Sequence, residues 1–409
     1  MRVVADFHIH SKYSRATSKD MDIENLSKHA RLKGIQLLGT GDFTYPLWLI
    51  ELKEKLTPRD YGLFEYGGTY FILTTEVCNI FLKDGKSRRV HNIIFAPTFE
   101  VVDTINSRLQ RYGNLMADGR PMLGLSCRDL AELVFSVSQE CLIVPGHIWT
   151  PWFSIFGSMS GFNSVEECFE GYAKDIYCLE TGLSSDPAMN WRLSALDRYS
   201  LISNSDSHSP GKIGREANVF DVKLAYAEII DALKKKDNKR FSFTVEFFPE
   251  EGKYHYDGHR VCNVRFSPEE TKKRRGLCPV CNRPVTVGVM NRVDALADRK
   301  AGFLPEHIIP FKSMIPLEEI IAQVRMKSRD SQAVQTEYKS ILQRFGSEFK
   351  LLLDTPEKEL LGSLPSQIAR AIINVRNGKV TIEPGYDGVY GTIGLPKDED
   401  KKEKQLTLF

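Results

Sequence analysis

The sequence predicts an α/β protein whose first half is a barrel of alternating strands and helices, and three observations carry that reading. Residues 1–220 alternate short apolar runs (2–6, 34–39, 70–75, 90–96, 141–145, 176–179 and 200–203) with amphipathic stretches such as 23–33, 128–139 and 187–197. Alternation of this kind is the pattern of parallel βα units. There are seven such runs, which suits a closed barrel better than an open sheet. Six of them carry metal-capable residues at or just past their C-terminal ends: Asp6, His8 and His10, then Asp42, Glu76, His147, Glu180, and Asp206 with His208. That is the end at which βα barrels gather an active site. The fourth run carries its histidine, His91, at the start instead.

Composition bounds the rest. The chain has 409 residues, 42% hydrophobic and 26% charged, with 55 Lys+Arg against 53 Asp+Glu. Two or three domains are expected at this length. No apolar run approaches the roughly 18 residues of a membrane helix, which excludes a helical membrane-spanning protein. The N-terminus reaches Asp6 before a signal-like apolar stretch develops, so an intracellular, cytoplasmic protein with no membrane partner is expected. Eight cysteines are too dilute for a disulfide scaffold. Cys78, Cys127, Cys141, Cys168 and Cys178 sit singly in apolar surroundings and read as buried thiols.

After residue 240 the alternation stops. Residues 251–300 hold 11 Lys/Arg against 6 Asp/Glu, a local surplus hidden by a whole-chain net charge of only +2. Residues 316–376 read mainly as helices, a Gly-rich segment follows at 385–394, and a charged stretch closes the chain. The expected division is a metal-dependent barrel at 1–235, a basic module at 236–300, a mainly helical region at 301–395 and a flexible tail at 396–409.

Two constellations carry chemistry. His8-Ile9-His10 alternates, so on a strand both imidazoles point to one side, as two nitrogen ligands require. With Glu76, His147, Asp206 and His208 the donor set mixes imidazole and carboxylate, which suits Zn²⁺, Mn²⁺ or Fe²⁺ better than Mg²⁺ or Ca²⁺. A carboxylate such as Glu76 is able to bridge two ions, and paired ions are a device for phosphoester hydrolysis. The second constellation is His259-x-x-Cys262 followed by Cys278-Pro279-Val280-Cys281, the spacing of a structural zinc knuckle. His255 lies close enough to replace His259 as the fourth ligand.

The order of the first set (H-x-H, the turn Thr40-Gly41-Asp42, Glu76, separated histidines, then Ser205-Asp206-Ser207-His208) resembles the PHP (polymerase and histidinol phosphatase) family over about residues 1–220. The resemblance implies a distorted seven-stranded βα barrel with two or three divalent ions, zinc, manganese or magnesium. It puts His8, His10, Glu76, His91, His147, Asp206 and His208 at metal-ligand positions, with Asp42 a further candidate. It also implies direct catalytic work for His8, His10, Glu76, His147, Asp206 and His208. Two departures stand out: Ser14-Arg15-Ala16 where many members have S-D-G, and Gly41-Asp42-Phe43 where many have T-D-H.

Together with the zinc module, the segment Glu180 to Pro187 and the segment Pro384 to Gly391, the whole chain is similar to the archaeal endonuclease Q family. That resemblance implies a DNA-repair endonuclease that nicks 5′ to uracil, hypoxanthine, xanthine and abasic sites in double-stranded DNA. Reading such a lesion calls for base flipping, for which the aromatic stretch with Trp149 and Trp152 is a candidate, packing being the alternative. Residues 154–164 read as a mobile loop beside it. Glu180 orients substrate, supports a ligand or caps a helix. Lys272, Lys273, Arg274 and Arg275 are expected on DNA phosphates. Gln405, Leu408 and Phe409 resemble the start of a sliding-clamp (PCNA) binding peptide. The competing readings are a phosphoesterase for a small phosphorylated metabolite and a DNA-binding adaptor with an inactive barrel.

Overall fold

All seven apolar runs become strands in the structure, a computed structural model that describes residues 1–396. In chain order they are joined as β1 (Arg2–Asp6), α1 (Ile23–Lys33), β2 (Leu37–Gly39), α2 (Pro46–Lys55), β3 (Thr57–Asp60), β4 (Leu63–Tyr66), β5 (Thr69–Lys83), β6 (Lys86–Ala96), α3 (Phe99–Leu109), β7 (Met122–Leu123), α4 (Cys127–Val137), β8 (Leu142–Pro145), α5 (Val165–Phe169), β9 (Cys178–Glu180), α6 (Pro187–Asn190) and β10 (Ser200–Ile202). Helix α1 shows why the local reading works. Asp22 accepts from the Asn25 amide at its start and Gly34 closes it at φ 89°, while Ile23, Leu26 and Ala30 form one buried stripe.

The sheet is mixed, where the alternation predicts parallel strands throughout. Strands β1, β2 and β5 run parallel, but β6 pairs antiparallel with both β5 and β8. The reason is local. Asp84 and Gly85, both at positive φ, make a two-residue turn between β5 and β6, and so short a link cannot cross over. This reversal explains the misplaced histidine. Because β6 runs back along β5, its middle residue His91 lies opposite Cys78, two residues past Glu76.

Strand β11 (Ala217–Asp221) adds antiparallel to β1, and beyond helix α7 (Tyr226–Lys234) strand β12 (Phe241–Glu246) extends the sheet. Strands β9 and β10 form a separate parallel pair. Buried side chains join that pair to β1: Asn204 Oδ1 accepts from the Phe7 amide, Asn218 Oδ1 from Ser203 and Asp6 Oδ1 from Ser205. Side-chain bonds thus stand in for ladder bonds where the curved sheet could not close with regular spacing.

The basic segment folds around β13 (Asp257–His259), β14 (Val264–Phe266), α8 (Pro268–Lys273) and α9 (Val289–Leu296). Strand β15 (Phe311–Ser313) returns to pair with β12. Helices α10 (Leu317–Arg325), α11 (Gln332–Phe345), α12 (Glu357–Ser363) and α13 (Ser366–Arg376) follow, then a hairpin of β16 (Thr381–Glu383) and β17 (Thr392–Gly394). One apolar core runs from Val4 and Ile213 in the sheet region to Leu317, Ile341 and Ile372 in these helices. No helix among the described residues is long and apolar enough to cross a membrane. Gln405, Leu408 and Phe409 lie outside the described residues.

A buried ion pair ties α1 to the C-terminal helices. Lys33 Nζ lies 2.7 Å from Glu348, which also accepts from the Tyr338 hydroxyl and the Leu317 amide. Glu348→Ala leaves a buried ammonium without a partner, at a cost of about 3–5 kcal/mol. Urea unfolding should show that loss, and a change under 1 kcal/mol would contradict the role given to the pair.

Candidate metal centre

The segments just past β1 and β8, the middles of β5 and β6 and the loop after β10 deliver the expected ligands to one point. Ligand atoms of His8, His10, Glu76 and Asp206 lie within 4.8 Å of one another, and so do those of Glu76, His91 and His147. Glu76 belongs to both groups and divides its oxygens between them. Its Oε1 lies 2.7 Å from His91 Nδ1 and 3.1 Å from His147 Nε2. Its Oε2 lies 3.2 Å from His10 Nε2 and 3.5 Å from His8 Nε2, and Asp206 Oδ1 is 3.1 Å from His10 Nε2.

These atoms fit a cation. His8 Nε2, His10 Nε2 and Asp206 Oδ1 are buried with no hydrogen-bond partner among the described residues, although they face one another. Partners behind the rings set their tautomers. His8 Nδ1–H donates to Glu180 at 3.0 Å and His10 Nδ1–H to Asp42 at 3.0 Å, which turns both Nε2 lone pairs inward. Thr150 Oγ1 faces His147 Nδ1 at 3.1 Å in the same way. Burial would push His8 and His10 down, but Glu180, Glu76 and Asp206 around His8, and Asp42 and Asp206 around His10, hold both well above the ordinary histidine range. Burial would raise Asp206 and Glu76; His8 and His10 hold the first below its usual range, and His91 and Arg120 the second. The cluster therefore favours positive charge, whether proton or metal ion.

Three expectations change here. Asp42 is not in either ligand group: its Oδ1 accepts from His10 and its Oδ2 from the Ser11 amide and the Ser11 and Ser14 hydroxyls. Trp149 is 1% exposed, gives its indole N–H to Asn190 and packs on Phe156, so it is a core residue out of reach of DNA. The segment 154–164, expected to be mobile, is stitched down by Arg292, which donates to Phe156 and Phe162 carbonyls, and by Arg88 on Gly161. His208 lies beside the first group, its ring 4.6 Å from that of His10 and its Nδ1 on the Asp206 carbonyl. Glu180 supports a ligand rather than capping a helix: it also accepts from the His147 amide and from Asn204.

The backbone is strained at this rim. Asp42 (φ 49°), His147 (φ 29°) and Asp206 (φ 46°) all occupy the left-handed region. Gly182 (φ 61°) must be glycine, because a Cβ there would fall 2.5 Å from that of His147.

A cavity of about 470 Å³ opens beside the cluster, lined by His91, His147, Asp206, Trp152, Phe153, Tyr254 and Tyr390. Trp152 is 40% exposed and meets Tyr254 edge-on at 5.6 Å. Sequence reasoning found Trp152 but missed Tyr254 and Tyr390, which come from the distant module and the Gly-rich segment. It also missed Arg120, whose Nη1 donates to Glu76 Oε2 at 3.0 Å. Arg120 lies in an irregular loop with no periodic signal.

The second constellation also assembles. His259, Cys262, Cys278 and Cys281 bring their ligand atoms within 4.8 Å of one another, His259 Nδ1 being 3.6 Å from Cys281 Sγ. His255 lies against the cavity instead, buried and pushed down to about 4 by that burial. The core around the cluster is small, Phe266, Cys278 and Val285 with Cys262 and Val264 against them, while α9 packs Val289 and Val293 on the main core. Lys272, Lys273, Arg274 and Arg275 are exposed on one side of it, with Lys272 paired to Asp294.

Behind Glu180 lies a buried acid pair. Glu246 Oε2 sits 3.0 Å from the Thr181 hydroxyl, and burial pushes Glu246 up to about 8. Burial, then Glu246 itself, holds Glu216 well above the carboxylate range. The native state keeps a proton that the unfolded chain releases above its ordinary carboxylate pKa of about 4.3. Stability should therefore fall as pH rises from about 4.3 toward 8, by up to about 1.4 kcal/mol per unit for one such group. Glu246→Gln removes that dependence. Urea unfolding at pH 5, 6.5 and 8 should show the variant gaining on wild type at each step, and a constant difference would rule it out.

Comparison with known proteins adds three relatives. The crystal structure of the lesion-specific endonuclease PfuEndoQ from Pyrococcus furiosus is similar over 100% of both chains, with 33% identity and a TM-score of 0.88. A crystal structure of Endonuclease Q in complex with a 27-mer duplex substrate, with an abasic lesion at its active site, aligns over 97% of both chains at 35% identity and a TM-score of 0.86. The Bacillus subtilis protein YqxK is 28% identical over 96% of this chain and 99% of its own length. Residues 316–379, helices α10 to α13, match the model of the MJ0043 C-terminal domain.

Proposed function

The chain belongs to the endonuclease Q family, and from that premise we propose that it is a DNA-repair endonuclease hydrolysing the phosphodiester 5′ to deaminated bases (uracil, hypoxanthine, xanthine) and to abasic sites. It is a metal-dependent endonuclease with a PHP-type fold. The observation that carries the reading is Glu76, which offers one oxygen to each of two ligand groups beside a cavity of nucleotide size.

His8, His10, Glu76 and Asp206 would hold one divalent ion and Glu76, His91 and His147 a second, and such ions when bound would supply charge neutralisation for the phosphodiester and activation of water at neutral pH. A third, if bound, would use His208. Asp42, Glu180 and Thr150 keep the imidazole lone pairs aimed inward. The aromatic walls, Trp152, Phe153, Tyr254 and Tyr390, stack the flipped nucleotide and exclude water. A mispaired or absent base lowers the unstacking cost, so lesions enter more readily than intact pairs.

The His259, Cys262, Cys278 and Cys281 set holds one structural zinc in an inserted domain, and Lys272, Lys273, Arg274 and Arg275 bind phosphates on the flanking duplex. Residues 1–235 form the seven-stranded catalytic barrel, residues 236–300 the zinc module and 301–395 a further DNA-binding region. Gln405, Leu408 and Phe409 recruit the sliding clamp, and the enzyme works on chromosomal DNA in the nucleoid.

Asp206→Asn should abolish nicking of a duplex with one abasic site or uracil while leaving its binding within about threefold of wild type. Undiminished cleavage would sink the site. Cys281→Ser should lower the zinc content by one ion per chain and open the module to thermolysin; equal zinc in both proteins would refute the zinc assignment.

A further inference from the structure

On the flank of the cluster nearest Asp42 both carboxylate oxygens are engaged, Oδ1 by His10 and Oδ2 by Ser11 and Ser14, and the next residue, Phe43, is fully buried. A permanent cation stands there. Arg120 reaches Glu76 Oε2 from the loop between α3 and β7, and its field acts on Asp206 and His208 across the cluster.

The loop is built to hold it. The Gly119 amide donates to the Tyr13 carbonyl, the Gly119 carbonyl accepts from Thr44 Oγ1, and the Cys78 amide donates to Pro121. Asp118 Oδ1 accepts from the amides of Arg15 and Arg120, tying the loop to the segment after His10. Gly119 packs so closely that a Cβ would lie 2.4 Å from Asp42 Oδ2. This is firmer anchoring than neutralising one carboxylate needs. Among the described residues the guanidinium makes a single hydrogen bond, to Glu76, and 29% of the side chain stays exposed. Its other N–H donors remain available, and a planar guanidinium matches the paired oxygens of a phosphate.

We propose that Arg120 is a catalytic residue that binds the scissile phosphodiester directly, as a fixed cation on the flank where Asp42 is held by His10, Ser11 and Ser14. The proposal rests on the endonuclease reading above. Four carboxylates surround the site: Glu76, Asp206, Asp42 and Glu180. Two divalent ions would cancel them, and Arg120 then adds the single positive charge that a phosphodiester's single negative charge matches.

The test uses the full chain. Single-turnover nicking of an abasic duplex is measured for wild type, Arg120→Ala and Arg120→Lys, with metal content determined for each. Duplex binding against salt is measured in the non-cleaving Asp206→Asn background, with and without Arg120→Ala. The expected result is nicking about 10²–10³-fold slower in Arg120→Ala at unchanged metal content. The slope of log affinity on log salt should become shallower by about 0.9, one phosphate contact. Arg120→Lys, which keeps the charge, should hold the slope and recover part of the rate. A rate within threefold of wild type, a loss of metal, or an unchanged slope would overturn the proposal, the last two assigning Arg120 to holding Glu76 alone. A wild type that leaves the abasic duplex intact would refute the endonuclease reading itself, and this inference with it.

Discussion

One fully buried carboxylate, Glu76, faces His8, His10, His91, His147 and Arg120 at once, and the catalytic rim is arranged around the need to satisfy it. A buried anion is tolerable only when every oxygen has a partner. Imidazoles make useful partners only when their other nitrogen is occupied. Asp42, Glu180 and Thr150 do that work: Ser11 and Ser14 donate to Asp42, the His147 amide and Asn204 donate to Glu180, and the Thr150 hydroxyl donates to the Trp152 carbonyl. The result is two layers of polar groups, with no freedom in the inner one. Such rigidity has a local cost of order 1–3 kcal/mol for each residue held in the left-handed region, as Asp42, His147 and Asp206 are. The large apolar core beneath offsets it.

The cavity beside the cluster is shared property. His91 and His147 come from the sheet, Trp152 from the loop after β8, Tyr254 from the start of the basic module and Tyr390 from the Gly-rich segment. That segment is fastened to the module: Asp387 accepts from the Arg260 amide and the Thr286 hydroxyl, and the Tyr386 hydroxyl donates to Asn263. Gly258 leaves room for the Tyr386 ring. The position of Tyr390 at the cavity therefore depends on the fold of the module. This links the Cys/His cluster physically to the cavity wall.

Much of this was legible in the residues. The seven apolar runs are strands because short β-rich runs between amphipathic helices have few other ways to bury themselves. His8 and His10 share a side because a strand has period two. The knuckle spacing brought His259, Cys262, Cys278 and Cys281 together for an equally local reason. Other features were misread because their cause is not local. The two-residue turn at Asp84 and Gly85 was present in the sequence, but its consequence, an antiparallel β6 that carries His91 to the common rim, appears only when strands pair. Trp149 and Trp152 differ by three positions and look alike on paper; one finds Asn190 and the core, the other Tyr254 and the solvent.

The sequence by itself determined the kinds of donor available, their spacing along each strand or turn, and the concentration of basic charge after residue 250, since these follow from backbone period and composition. Only the tertiary structure decided which donors share an ion. Asp42 and Asp206 are both short acids at the end of a strand run; one is used up by Ser11, Ser14 and His10, while the other faces His8 and His10 with an oxygen free. The tertiary structure also put Arg120, from a loop with no pattern, onto Glu76. Coordination depends on distances of a few ångströms between residues far apart in the chain, and no local periodicity encodes those distances.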